Sequence, residues 1–239
     1  MSEVDILCIT AHPDDVELCM GGTVLHHVAL GKRVGLVELT VGELGTRGNG
    51  ALRKEEAEAA RKVLGADFRY QLDLADGFFR ADRESLLKVV QVIRRHKPSV
   101  IFTNTLKDRH PDHGRSAALV TEACFLSGLR RVETSDDGNS QEAWRPTTVL
   151  HTIQDWWMEP TLVVDVTPYW EKRMAAMFAF KSQFFDPTSS EPVSSISGQD
   201  FPAFVEGRAL QIGRLIGVKY GEGFVASRAF GVDDVTLLK

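Results

Sequence analysis

His12, Pro13, Asp14 and Asp15 directly follow an apolar run at residues 4–10, and His110, Pro111, Asp112 and His113 follow a second run at 99–104. Each cluster places imidazole and carboxylate groups where a strand hands over to a helix. In open α/β sheets, ligands bind at the carboxyl ends of the strands. His12, Asp15 and His113 together offer two imidazoles and one carboxylate, a common donor set for catalytic zinc that leaves one position for water. Zinc lowers the pKa of such a water toward about 7. Asp14 is adjacent to the donors and suits a general base. His110 suits a proton carrier for a leaving group or an oxyanion, with Asp112 orienting it and keeping it cationic. An Asp that opens a helix often serves only as a cap, and Asp15 or Asp112 alone would be read that way. Both clusters on one sheet favour a metal centre. Two His and one carboxylate also serve non-haem iron, but the spacing here is HxxD and the pattern α/β, which favours hydrolytic zinc.

The elements that must position these groups alternate. Residues 4–10, 33–40, 68–74 and 99–104 read as strands, followed by helices over 17–30, 52–64, 83–96 and 113–129. Such alternation implies a mostly parallel sheet covered by helices on both faces. Later strands are expected at 148–153 and 161–166, a helix at 168–180, and a last helix from near Phe204 through 210–218. Two irregular stretches, the glycine-rich 41–50 and the Ser/Pro-rich 186–199, are long enough to roof a site. No Gly-Lys-Ser/Thr or GxGxxG follows a strand, so the usual nucleotide fingerprints are missing. Among other residues, His26, His27 and His96 read as structural, His151 is a weaker candidate, and Trp156 and Trp157 read as core more readily than as pocket lining. Arg53 follows the glycine loop at a helix start and by itself is an ordinary surface arginine.

The 239 residues show no repeat or linker and are read as one domain, 1–239; they are 43% hydrophobic and 26% charged, with net charge −5. The absence of basic runs argues against nucleic acid as a partner. Cys8, Cys19 and Cys124 are scattered among apolar residues and fit reduced core cysteines of a cytoplasmic protein. No secretory signal or membrane span is expected.

The segments AHPDDVELCMGGT (11–23), GTRGN (45–49) leading to Arg53, and RHPDHG (109–114) resemble the PIG-L/LmbE-type zinc deacetylases in order and spacing. The resemblance implies a Rossmann-like three-layer fold and hydrolysis of an N-acetyl group on an N-acetylglucosamine unit. It implies one zinc per chain on His12, Asp15 and His113, with iron(II) an alternative, and a base at Asp14. His110 becomes the acid and oxyanion partner with Asp112 behind it, and Arg53 a substrate or oxyanion contact. It further implies a small amino-sugar substrate and a homo-oligomer, trimer or hexamer. PTLVVDVTPYWEKRMAAMFAFKSQF (160–184) and GVKYGEGF (217–224) are similar to the branch acting on N-acetylglucosaminyl-malate in bacillithiol synthesis. For such an aglycone, Arg109 at the rim of the centre is the candidate for the malate carboxylates. Some relatives add a tyrosine near the oxyanion; two positions before His110 this chain has Asp108. The competing readings are a non-catalytic sugar- or metal-binding member, or an amidase for another small N-acyl substrate.

Overall fold

The computed structural model describes residues 3–237. Strands β1 (Ile6–Thr10), β2 (Val34–Glu38), β3 (Phe68–Gln71), β4 (Val100–Thr103) and β7 (Thr148–Thr152) pair in parallel in the order β3-β2-β1-β4-β7. Successive residues of β1 feed opposite cores. Leu7 and Ile9 pack with Val89, Val90, Ile93, Leu119 and Val120 of α4 (Arg83–His96) and α5 (Pro111–Ser127). Ile6 and Cys8 pack on the other face with Val16, Val24 and Leu64, carried by α1 (Asp15–Cys19), α2 (Gly21–Ala29) and α3 (Gly50–Leu64), and with Met20 at the junction of the first two. Helices on both faces make the all-apolar β1 the natural central strand. Helix α6 (Trp170–Met177) follows a 3-10 turn and packs against α3. A small hairpin, β5 (Ser135–Asp136) with β6 (Asn139–Ser140), lies outside the main sheet.

The far edge of the sheet departs from the sequence expectation. β9 (Gly221–Ala226) inserts between β7 and β8 (Leu162–Asp165) and runs antiparallel to both. GEGFVA carries two glycines and a charge, so it lacks the continuous apolar signature of a buried strand. The glycines are required by close packing: a Cβ on Gly221 would lie 2.8 Å from the Gly213 nitrogen on α7 (Phe201–Leu215).

The single helix expected over 17–30 is two helices, interrupted at Met20 (φ −147°). The cause lies 200 residues away in the chain. Glu222 on β9 accepts from the Gly22 N–H (2.9 Å), the Thr23 N–H (2.7 Å) and the Thr23 hydroxyl (2.7 Å), and so caps the second helix. No helix among the described residues is long and apolar enough to cross a membrane. The three cysteines are buried and unpaired.

Strand β1 leads to neighbours on either side, β2 and β4, so the sheet reverses direction of growth between β1 and β4. The segments leaving these two strands open a crevice at that point. They carry the two His/Asp clusters.

Candidate metal centre and active site

Around this crevice the structure brings together His12, Asp14, Asp15, Arg53, His110 and His113, which line one open cleft of about 1210 Å³, mouth included. Asp15 sits between the two imidazoles: its Oδ2 is 3.7 Å from His12 Nδ1 and its Oδ1 is 3.3 Å from His113 Nε2. The opposite nitrogen of each ring is tied down. His12 Nε2 faces Asp76 Oδ1 at 3.0 Å and Asp112 Oδ2 at 3.3 Å. His113 Nδ1 faces Asp108 Oδ2 at 2.5 Å. An ionised carboxylate only accepts, so these nitrogens carry the protons. His12 Nδ1 and His113 Nε2 are therefore the nitrogens whose lone pairs can be given to a cation beside Asp15. This carboxylate–histidine arrangement orients metal ligands and raises their basicity.

Charge balance makes the same demand. Burial opposes protonating His12, yet hydrogen bonds to Asp112 and Asp76 and the charge of Asp15 lift its pKa to about 10. Burial likewise opposes protonation of His113, but Asp15 and Asp108 raise it to about 9. The carboxylates thus outnumber the cations that face them. A divalent ion replacing the protons on His12 and His113 satisfies them. Among the described residues, two sets of three have ligand atoms all within 4.8 Å of one another: His12, His110 and His113, and His12, Asp76 and Asp112.

Asp15 is held from behind. Its Oδ2 accepts from the His12 N–H (3.0 Å) and Asn104 Nδ2 (2.9 Å), and its Oδ1 accepts from Gln154 Nε2 (2.8 Å). Asn104 is fixed in turn, its Oδ1 accepting from the Ala11 N–H at 2.7 Å. His151, buried on β7, is a structural support: its Nδ1 lies 3.1 Å from the Asn104 carbonyl.

Asp14 precedes α1 but makes no capping hydrogen bond. Its φ of 108° is a left-handed conformation. Such a backbone costs a non-glycine residue about 1–3 kcal/mol and recurs at functional sites. Arg53 holds it there. The guanidinium is 4% exposed and donates to the Pro13 carbonyl (2.5 Å), the Gly42 carbonyl (3.1 Å) and Asp14 Oδ2 (3.2 Å). Burial pushes Asp14 up, Arg53 pulls it down and Asp15 pushes it up again, leaving it at about 7. That value suits a base operating at neutral pH. Arg53 is therefore no surface arginine: it lines the cleft, where the resemblance implies a substrate or oxyanion contact, and it clamps Asp14, with its Nε buried without a hydrogen-bond partner.

His110 caps α5, its Nδ1 accepting from the Asp112 N–H at 3.3 Å. The remaining proton then sits on Nε2. Burial first, and then the charges of His12 and His113, push its pKa down. Two expectations about Asp112 need correction. Its carboxylate lies behind His12 rather than His110, and it also accepts from the Gly77 N–H (2.7 Å) and Arg115 (2.6 Å). With its Nδ1 accepting from the main chain, His110 is held in the neutral form rather than the cationic one. Arg109 lines the rim as expected, but it is half-exposed and paired with Asp155 at 2.6 Å. Trp156 and Trp157 are not core: they are 47% and 39% exposed.

The two irregular stretches meet over the cleft. Leu44, Gly45 and Thr46 from one, and Ser194, Ser195 and Ile196 from the other, line it. Arg47 donates to Ser189 (2.5 Å), and the Gly48 N–H to Glu191 (3.0 Å).

Asp76, Asp108, Asn104 and Gln154 were not singled out by sequence as site residues. Each lies just beyond the carboxyl end of a sheet strand, a positional signal that would have marked them. Asp108 is the most consequential, because its side chain is fully buried against His113. An amide can offer either an oxygen or an N–H, so Asp108→Asn leaves the His113 tautomer unspecified. This variant is expected to weaken metal affinity by about 10- to 100-fold. Competition against a chromogenic chelator measures it; unchanged affinity would remove Asp108 from the support of the centre.

The fold and site define an open α/β enzyme with a candidate His/Asp cation centre at the switch point of its sheet. The profile of the PIG-L family, described as GlcNAc-PI de-N-acetylase, matches residues 7–124. A conserved protein of Thermus thermophilus superposes with a TM-score of 0.85 at 31% identity, covering 96% of this chain and 98% of that one. The chain belongs to the PIG-L family of deacetylases, hydrolases of amide bonds. Diacetylchitobiose deacetylase of Thermococcus kodakarensis is 28% identical over 230 residues, 91% of this chain and 81% of that protein. The 4-oxalmesaconate hydratase of Pseudomonas putida is also 28% identical, over 74% of this chain and 73% of that enzyme.

Proposed function

We propose that the chain, as one domain over residues 1–239, is a zinc-dependent deacetylase of N-acetylglucosamine derivatives, with N-acetylglucosaminyl-malate of bacillithiol synthesis as its substrate. We place it in the cytoplasm as a homo-oligomer. The observation that carries the reading is the pair of imidazoles, each with one nitrogen on a buried carboxylate and the other turned to Asp15. His12, Asp15 and His113 would hold the ion, which when bound supplies Lewis acidity toward the acetyl carbonyl and toward water. Two imidazoles and one carboxylate suit zinc better than magnesium or calcium; iron(II) fits the same donors.

The remaining steps fall to side chains. Asp14, kept near neutrality and aimed by Arg53, takes the proton from the attacking water. His110 offers its Nε2–H to the developing oxyanion, as a preorganised donor in a half-buried position. The protonated Asp14 then returns its proton to the departing amine. The amide C–N bond breaks, leaving acetate and a free amino sugar. The diacetylchitobiose deacetylase relative supports the amino-sugar class, and segments 160–184 and 217–224 support the malyl aglycone.

The test is amine release from N-acetylglucosaminyl-malate, N,N′-diacetylchitobiose and methyl N-acetylglucosaminide, with metal content measured on the same preparation. Stoichiometric transition metal and metal-dependent amine release are expected, fastest from the malyl substrate. The hydratase relative gives a second reading weight. Metal-loaded protein that releases no amine from any of the three would favour that reading and overturn deacetylation of amino sugars.

A further inference from the structure

Beyond His113 and Gln154 the cleft continues into a second cavity of about 640 Å³, mouth included, bounded by α1, α7 and β9. Its walls include Leu18, Ile153, Phe204, Val205 and Ile212, all apolar. Three arginines also line it, Arg109, Arg173 and Arg208, together with Asp108, Asp155 and Glu222. Arg208 donates to the carbonyls of Gln154 (2.7 Å) and Asp155 (2.9 Å) and lies over the rings of Trp157 and Phe204 at 5.6 and 5.3 Å. Among the described residues no carboxylate oxygen lies within the 4.0 Å of an ion pair to it. Burial pushes its pKa down, and Asp155 and Asp108 offset this only in part. Arg173 is 3% exposed; Glu222 stands 3.6 Å from its Nε, which has no hydrogen-bond partner. The charges of the lining therefore balance in number, but Arg109 is paired with Asp155 and Arg173 faces Glu222, which leaves Arg208 as the arginine without a carboxylate at ion-pair distance among the described residues.

We propose that this cavity is an anion-receiving subsite, in which a carboxylate on the arm attached to the substrate's amino sugar docks on Arg208, with Arg173 behind it. The proposal rests on the deacetylase reading for what happens at the centre, but not for the binding itself. A hydrocarbon chain in this cavity would cover the remaining N–H groups of Arg208 and offer them no acceptor, which is costly. A neutral sugar brings only hydroxyls. Arg208 has two of its N–H groups engaged with carbonyls. The rest of its planar fork matches a carboxylate. The apolar walls strengthen the pairing by lowering the local dielectric. Arg208 also connects to the centre: it holds the Gln154 main chain, whose side chain holds Asp15. Arg109, the candidate from sequence, is less suited because Asp155 already neutralises it.

The test compares the malyl and methyl glycosides of N-acetylglucosamine. In the wild type, the ratio of their kcat/KM values is expected to favour the malyl compound. Arg208→Met should lower that ratio by about 10- to 100-fold, the loss of a charge-assisted hydrogen-bonded pair, mainly through KM. Arg208→Lys keeps the charge and stem without the fork, and should give an intermediate ratio; it serves if the Met variant does not fold. Calorimetric binding of both glycosides to wild type and variants runs alongside. If neither compound is hydrolysed, yet the malyl glycoside binds more tightly and Arg208→Lys or Arg208→Met removes the preference, the deacetylase reading fails and the subsite stands. A wild type without preference for the malyl compound, or variants with an unchanged ratio, would overturn the subsite whatever the activity.

Discussion

Asp14→Asn is expected to lower kcat by about 100- to 10,000-fold, the usual contribution of a positioned base, while the protein retains its metal. The two outcomes separate because Asp14 and Asp15 have been given different surroundings by one turn of chain. Asp15 accepts from Asn104, Gln154 and the His12 N–H and faces both imidazoles, and its pKa is held well below the usual carboxylate range despite burial. Asp14 projects instead toward Arg53, with its pKa at about 7. An asparagine at position 14 accepts from Arg53 nearly as well but takes up no proton. Turnover measured beside metal content decides the matter. Near-normal kcat would take the base role from Asp14, and loss of metal would make it a ligand instead.

The largest expected loss of stability is away from the cleft. Arg69 on β3 donates to Glu17 Oε1 at 2.6 Å and to Glu38 Oε1 at 2.8 Å, and all three side chains are at most 1% exposed. Gln71 donates to the other oxygen of Glu38 at 2.8 Å. Burial pushes Glu38 up, Arg69 pulls it down and Glu17 pushes it up again, leaving it at about 7. Arg69→Met would leave two carboxylates facing each other in the core beneath Phe180, over whose ring the guanidinium lies. Removing one partner of a buried pair costs about 3–5 kcal/mol, a large part of the stability of an ordinary domain. Urea unfolding at neutral pH measures it; a loss under about 1 kcal/mol would show that the charges are relieved by water or by proton uptake. Replacing Arg69, Glu17 and Glu38 together by apolar residues should recover most of the loss, because no uncompensated charge remains.

What the sequence by itself determined is what local rules control. Strand β1 follows from an unbroken apolar run, and α4 occupies the 83–96 expected from its periodicity, with Asp82 capping it through Ser85. The parallel order follows from strand–helix alternation, and from it the convergence of His12, Asp14, Asp15, His110 and His113 at one sheet edge. What only the tertiary structure decided are the pairings between residues far apart in the chain. Asp76 against His12 and Gln154 against Asp15 span 64 and 139 residues, and no periodicity encodes them. The break at Met20 has no local breaker strong enough to predict it; Glu222 imposes it by capping Gly22 and Thr23 from a strand that the pattern did not reveal. Asp112 went to His12 instead of its neighbour His110 because the first turn of α5 directs its carboxylate inward, while His110 is taken up as the cap. Sequence spacing lists the groups that can react. Which nitrogen carries a proton, which carboxylate stays ionised and which arginine remains unpaired are set by burial and by partners that folding alone brings within about 3 Å of one another.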